Sequence, residues 1–159
     1  MRIAIAGEAP CDLATVRAAI RRAVRPYGLP PDAEVQLAFV SDEAMREMNK
    51  RFRGIDRTTD VLSFGEAIPP RSRGAGALPL LDARRPESGG RFELGEIVIS
   101  ADQAARQARR RKRPLVAEIA LLAAHGALHL LGYEDETPAG YREMVRLGHD
   151  ALRQKSVKR

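Results

Sequence analysis

Two of the three histidines, His125 and His129, stand four residues apart. On a helix that spacing puts both side chains on one face, one turn from each other. Neutral imidazoles so placed supply two adjacent ligands to a divalent transition metal. The segment reads His125-Gly126-Ala127-Leu128-His129-Leu130-Leu131-Gly132-Tyr133-Glu134-Asp135. A carboxylate from the turn after the helix, Asp135, completes a three-ligand set, and Glu134 or Glu136 beside it are alternative donors. Three protein ligands leave a position open for water, as in a catalytic centre, whereas a closed structural site takes four. Two core histidines on one helix face are the bland alternative. Clustering in the most apolar segment, followed at once by a glycine and three acids, favours the metal.

The third histidine, His149, lies among Arg146, Asp150 and Arg153 and reads as an ordinary exposed residue. Gly126 occupies the place where an H-E-x-x-H protease carries its general base. A zinc peptidase-like hydrolase is therefore disfavoured, leaving Glu118, Glu134 or Glu136 as its only substitutes.

The elements that must hold these residues follow from periodicity and capping. Residues 2–6 read as a short strand, and Glu34 to Val40 alternates like a half-buried one. Asp12 caps a helix with Leu13, Val16, Ile20 and Val24 on one face, stopped by Pro26 and Gly28. Ser41-Asp42-Glu43 opens a short helix through Asn49, and Val61 to Phe64 is a brief strand. Leu94 to Ile99 is a further strand, running into Ser100-Ala101-Asp102-Gln103, a capping-box start to the next helix. Pro114 opens a helix that is apolar nearly all round through Leu131, with Gly132 as its stop. Such a helix belongs in the core. Thr137-Pro138 caps a last helix to about Lys155. Between the strands, residues 65–93 hold prolines and glycines without periodicity and read as a long loop or lid. The order predicts one α+β domain over residues 1–159. A small mixed sheet is packed by helices, and the metal site lies at the end of the buried helix.

Composition bounds the rest. With 159 residues and 44% apolar content, the chain is long enough for one core without disulfides. The single cysteine, Cys11, allows no intrachain disulfide and points to a reducing, cytoplasmic setting. No apolar run reaches the roughly 18–20 residues of a membrane span, and the start is too short for a signal-peptide core. The 27 basic residues against 21 acidic give +6, which leans towards a polyanion such as RNA. Aromatics at 4% and no tryptophan argue against stacking as the main grip on single strands. The run Arg109-Arg110-Arg111-Lys112-Arg113 is a candidate contact for phosphate backbone, and equally a solvated helix end.

Four motifs in order then carry a resemblance. His125-Gly126-x-Leu128-His129-Leu130-x-Gly132-Tyr133, Asn49-x-x-Phe52-Arg53, Thr59-Asp60-Val61-Leu62-Ser63-Phe64 and Leu94-Gly95-Glu96-Ile97-Val98-Ile99-Ser100 together resemble the YbeY family of bacterial rRNA-maturation endoribonucleases. The resemblance implies a compact α+β fold and one divalent ion, zinc above all, held by three residues. It also implies single-strand-directed cleavage in rRNA 3′-end maturation and ribosome quality control, with rRNA precursor and ribosome as partners. By position it makes His125 and His129 ligands and sets Arg53 against the substrate phosphate. The family's third ligand is a histidine after an aspartate. Glu134-Asp135 stand at those positions here, so Asp135 replaces an imidazole with an anionic oxygen, an exchange that favours harder ions such as manganese. Asp60, Ser63 and Glu134 are expected to support the ligands rather than touch the ion. A planar guanidinium suits the charge that builds on phosphoryl oxygens, and the expected chemistry is attack by metal-activated water. The substrate's own 2′-hydroxyl is the variant nucleophile. The alternative from another class is a ribosome-associated RNA-binding factor with a structural metal.

Overall fold

The computed structural model describes residues 1–65 and 89–153. Four strands, β1 (Arg2–Ala6), β2 (Glu34–Val40), β3 (Val61–Phe64) and β4 (Glu93–Ser100), form one sheet in the order β1-β2-β4-β3. The pairs β1/β2 and β2/β4 are parallel and β3/β4 is antiparallel, so the sheet is mixed, as expected.

Period-two alternation sorts the strands between two faces, and a bulge at Leu94 in β4 shifts the register once, so that Leu94 and Ile97 share a face. Val35, Leu37 and Phe39 of β2 and Leu94, Ile97 and Ile99 of β4 enter the main core. Ala38, Leu62 and Val98 enter a smaller cluster on the opposite face with Met45. The main core packs the sheet against three helices, α1 (Ala14–Val24), α4 (Leu115–Leu130) and α5 (Pro138–Leu152). The other face carries α2 (Asp42–Arg53), whose Met45 is fully buried there. A short helix, α3 (Ala101–Arg110), leads from β4 and packs on α4.

The helix starts follow the capping chemistry of the sequence. Ser41, Ser100 and Thr137 each accept a hydrogen bond from the backbone N–H three residues on, at 3.2, 3.2 and 3.0 Å. Asp12 Oδ1 accepts from the Ala14 N–H at 2.7 Å, although Leu13 holds the cap position. Pro114 is the cap residue of α4 rather than its first turn. Among the described residues no helix is long and apolar enough to cross a membrane.

Three boundaries differ from expectation. Helix α2 continues past Asn49 to Arg53 and stops at Gly54, which carries Phe52 and Arg53 in its last turn. Helix α5 ends at Leu152, and residues 154–159, where the last helix was expected to finish, lie outside the described residues. Most of the expected 65–93 loop, residues 66–88, also lies outside them. Its far end is irregular up to Phe92, but Glu93 already belongs to β4, and Phe92 is fully buried with its carbonyl accepting from the Glu34 N–H at 2.8 Å. An apolar ring worth burying joined the core, which residue-by-residue punctuation does not reveal.

Candidate metal and substrate site

Helix α4 runs through the middle of the molecule, and its last two turns carry His125 and His129 to the edge of the core. Their rings meet edge to face, with centroids 4.6 Å apart. The chain then reverses at Gly132, where φ is +92°, a conformation that glycine adopts without strain. That reversal brings the Tyr133 carbonyl back to His129, whose Nδ1–H donates to it at 3.0 Å. Tyr133 is itself fixed by an edge contact with Tyr27, centroids 6.0 Å apart. With Nδ1 carrying the proton, His129 presents its Nε2 lone pair to the site, the arrangement a ligating histidine needs.

Asp135 completes the group. Its Oδ2 lies 3.1 Å from His125 Nε2 and 3.3 Å from His129 Nε2, and the two ring nitrogens are 3.1 Å apart. Three donors each about 2.0–2.1 Å from one ion at tetrahedral angles stand about 3.3 Å from one another. The spacing observed fits that requirement, and the group can hold a metal ion. The side chains are 24%, 30% and 37% exposed, so the cluster opens to one side. Burial, and secondarily the neighbouring His129, lowers the pKa of His125 below its usual 6.5 and keeps the ring neutral. For Asp135 burial acts upward, but His129 and His125 outweigh it and hold the carboxyl below its ordinary range. A neutral imidazole and an ionised carboxylate are the forms that bind a cation.

The three adjacent acids separate cleanly. Glu134 lines the same cavity, but its carboxylate clamps the entry to α5. Its carboxylate accepts from the Glu136 and Thr137 N–H groups at 2.8 and 2.9 Å and from the Thr137 hydroxyl at 2.6 Å. Of the three acids, only Asp135 belongs to the donor group. Glu134 acts on the site through the turn that presents Asp135.

The cluster lines a cavity of about 540 Å³ that also takes in Phe52, Arg53, residues 59–65 and Glu136. Arg53 comes from the last turn of α2 and makes no ion pair or hydrogen bond among the described residues. The loop between α2 and β3 is pinned from behind. Arg106 grips Asp42 with two donors at 2.6 and 2.8 Å, and Ser100 and Thr58 hydroxyls also donate to Asp42. The Arg106 hydrogen bonds hold the Asp42 carboxyl below its usual range. Asp60 lies in the cavity wall and is itself satisfied, accepting from the Val61 N–H at 2.8 Å and from Gln107 Nε2 at 3.1 Å.

Ser63 explains Gly126. Strand alternation turns Ser63 towards α4, where its hydroxyl donates to the Gly126 carbonyl at 3.0 Å. A Cβ at position 126 would stand 2.6 Å from Ile97 Cγ2 and 3.1 Å from Ser63 Oγ. The glutamate of an H-E-x-x-H helix has no room here, so the general base of that motif is excluded at position 126 on steric grounds. Gly126→Ala is expected to cost about 1–2 kcal/mol in urea unfolding. Overpacking at about 1–3 kcal/mol exceeds the helix propensity gained, roughly 1 kcal/mol. Unchanged or raised stability would show that the helix backs away freely from Ile97.

The basic run separates too. Arg111 and Arg113 pair with Glu118 at 2.7 and 3.0 Å, and Glu118 is 0% exposed. These two arginines each use one donor to neutralise a buried carboxylate, and Glu118, held by both, is no substitute base. Arg109, Arg110 and Lys112 are exposed, with Lys112 at φ 51°. None of the five lines the cavity. His149 is exposed on α5, as expected. The residue types that composition undervalued are aromatic: Phe52 stands in the cavity wall at 57% exposure. Its place in the Asn49-x-x-Phe52-Arg53 motif, directly before the arginine, was the available signal.

Comparison with known proteins shows the family and the fold. A family model described as Endoribonuclease YbeY matches residues 9–156. An endoribonuclease YbeY of Moorella thermoacetica is 40% identical over 132 residues, covering 83% of this chain and 79% of the relative. That of Bacillus licheniformis is 33% identical over 154 residues, covering 96% and 92%. That of Anaeromyxobacter sp. strain Fw109-5 is 44% identical over 115 residues, or 72% of this chain, and the match spans only 50% of that longer relative. A solution structure of a Thermotoga maritima protein superposes with a TM-score of 0.55 at 22% identity, covering 99% of both chains, a likeness of fold.

Proposed function

The chain belongs to the YbeY endoribonuclease family, and from that premise we propose that it cleaves single-stranded RNA with one divalent cation bound by His125, His129 and Asp135. Zinc suits a donor set of two imidazoles and one carboxylate, and manganese is the harder competitor. The setting proposed is cytoplasmic, in the 3′-end maturation of rRNA precursors and ribosome quality control, as the family resemblance implies. The observation that carries the reading is the convergence of three donors at 3.1–3.3 Å on a cavity shared with Arg53.

A divalent cation in this group supplies Lewis acidity, lowering the pKa of water from about 15.7 to near 7 and drawing charge from a phosphoryl oxygen. The protein's own residues do the rest. Tyr133 fixes the orientation and tautomer of His129, and Glu134 fixes the turn bearing Asp135. Arg53 offers a fork of donors to the non-bridging phosphate oxygens, where negative charge accumulates as the phosphodiester opens. Asp60 and Ser63 hold the opposite wall, one through Gln107 and the other through the α4 backbone.

Arg53→Ala is expected to lower cleavage of a single-stranded oligoribonucleotide by about 100–1,000-fold, the scale of one lost transition-state donor. Stability should be unaffected, because Arg53 is exposed. Water attack leaves no 2′,3′-cyclic phosphate, so product ends resolved by mass spectrometry identify the nucleophile. Full activity in Arg53→Ala, or cleavage indifferent to chelator in the wild type, overturns the proposal.

A further inference from the structure

Phe52 is apolar, yet it is the most exposed large hydrophobic side chain among the described residues, at 57%. Rings of this size usually repay burial, so an exposed one in a cavity wall calls for a reason. It is not loosely held. Phe52 lies in the last turn of α2, just before a stop at Gly54 whose N–H bonds back to Asn49 and Lys50. Asn49 is buried and its amide donates to the Arg57 carbonyl at 2.8 Å, tying the following loop to the helix. The Phe52 ring meets Phe64 of β3 at an angle of 64°, centroids 5.0 Å apart. Strand alternation explains that contact, since Phe64 points to the α2 face while Ser63 points to α4. The Arg51 guanidinium lies 5.4 Å from the ring centroid, adding positive charge beside an apolar surface. Phe52 and Arg53 are neighbours in sequence and line one cavity with His125, His129 and Asp135.

Resting on the endoribonuclease reading above, the geometry points to Phe52 as a stacking platform for one unpaired base of the RNA, next to the phosphate that Arg53 receives. Every base offers a π-face, so such a platform selects strandedness rather than sequence. In a duplex both faces of a base are covered by its neighbours, and a single strand is the polymer that can supply one. Preference for single strands then comes from one rigid ring, while charge and cation act on the phosphate.

The test compares wild type, Phe52→Ala and Phe52→Trp on mixed-sequence single-stranded oligoribonucleotides, intact or with one base-less ribose moved along the chain. Phe52→Ala is expected to lower kcat/KM about ten- to a hundredfold, mainly through KM, and Phe52→Trp to restore it. In the wild type, one base-less position should give the same loss, and in Phe52→Ala that position should cost nothing further. A merely structural role would lower activity equally on every substrate. Binding is read separately, with cation-stripped protein, from the fluorescence change of 2-aminopurine at that position. A change in the wild type and in Phe52→Trp but not in Phe52→Ala supports the platform. Equal kcat/KM for wild type and Phe52→Ala, or 2-aminopurine indifferent to residue 52, overturns it. If the wild type cleaves but Phe52→Ala equals it, the platform fails and the endoribonuclease reading stands. If the wild type leaves RNA intact while 2-aminopurine still reports on Phe52, the reverse holds.

Discussion

His125→Ala is expected to reduce cleavage of single-stranded RNA at least about a thousandfold and to leave the dialysed protein without stoichiometric zinc or manganese. Of the three donors, His125 Nε2 is the one within 3.1 Å of both others, so its loss leaves two groups that cannot enclose a cation. Fold stability should change little by comparison, because the ring is partly exposed at the cavity. The wild type should also lose metal as the solution is acidified. Burial depresses the His125 pKa, so the neutral ring survives at pH 7 and takes up a proton only below its usual value of 6.5. Proton and cation compete for the same lone pair, and affinity falls on the acid side and not the alkaline side. Atomic emission on protein dialysed at several pH values measures both effects. Retained cleavage in His125→Ala with chelator present would sink the assignment.

The second large effect concerns stability. Replacing Arg111 and Arg113 together by alanine is expected to destabilise the protein by about 3–5 kcal/mol, since it strands a buried carboxylate. Glu118 is 0% exposed and its oxygens are paired separately, Oε1 with Arg111 and Oε2 with Arg113. Adding Glu118→Leu to the double variant should recover most of the loss, because an apolar side chain asks for no partner there. Urea unfolding at pH 7 measures all three proteins. A double variant within about 1 kcal/mol of wild type would mean that water reaches Glu118 readily.

Much of this arrangement was legible in the amino-acid order. Caps at Ser41, Ser100 and Thr137, the apolar alternation of β2 and the apolar run of β4 are local signals, and the elements form where they stand. The histidine pair was legible because an i,i+4 spacing is itself a geometry. What was not legible depends on contacts between distant segments. Glu134, Asp135 and Glu136 are chemically alike in a row, and only the backbone turn of α5 decides that Glu134 caps and Asp135 faces the histidines. Likewise, Arg111 and Arg113 reach Glu118 across the bend between α3 and α4, where no helix-face rule applies. Gly126 was recognised as the absence of a base, but the Ile97 methyl that forbids one becomes visible only when the helix lies on the sheet.

The three metal donors come from a single stretch, with His125 and Asp135 ten residues apart, one helix end and its turn. Closing so short a segment costs little chain entropy. Arg53 and Phe52 arrive from the far side of the sheet and require the whole topology to be in place. The donor group therefore depends on one contiguous stretch of chain, whereas the Phe52–Arg53 wall of the same cavity depends on contacts between segments distant in sequence.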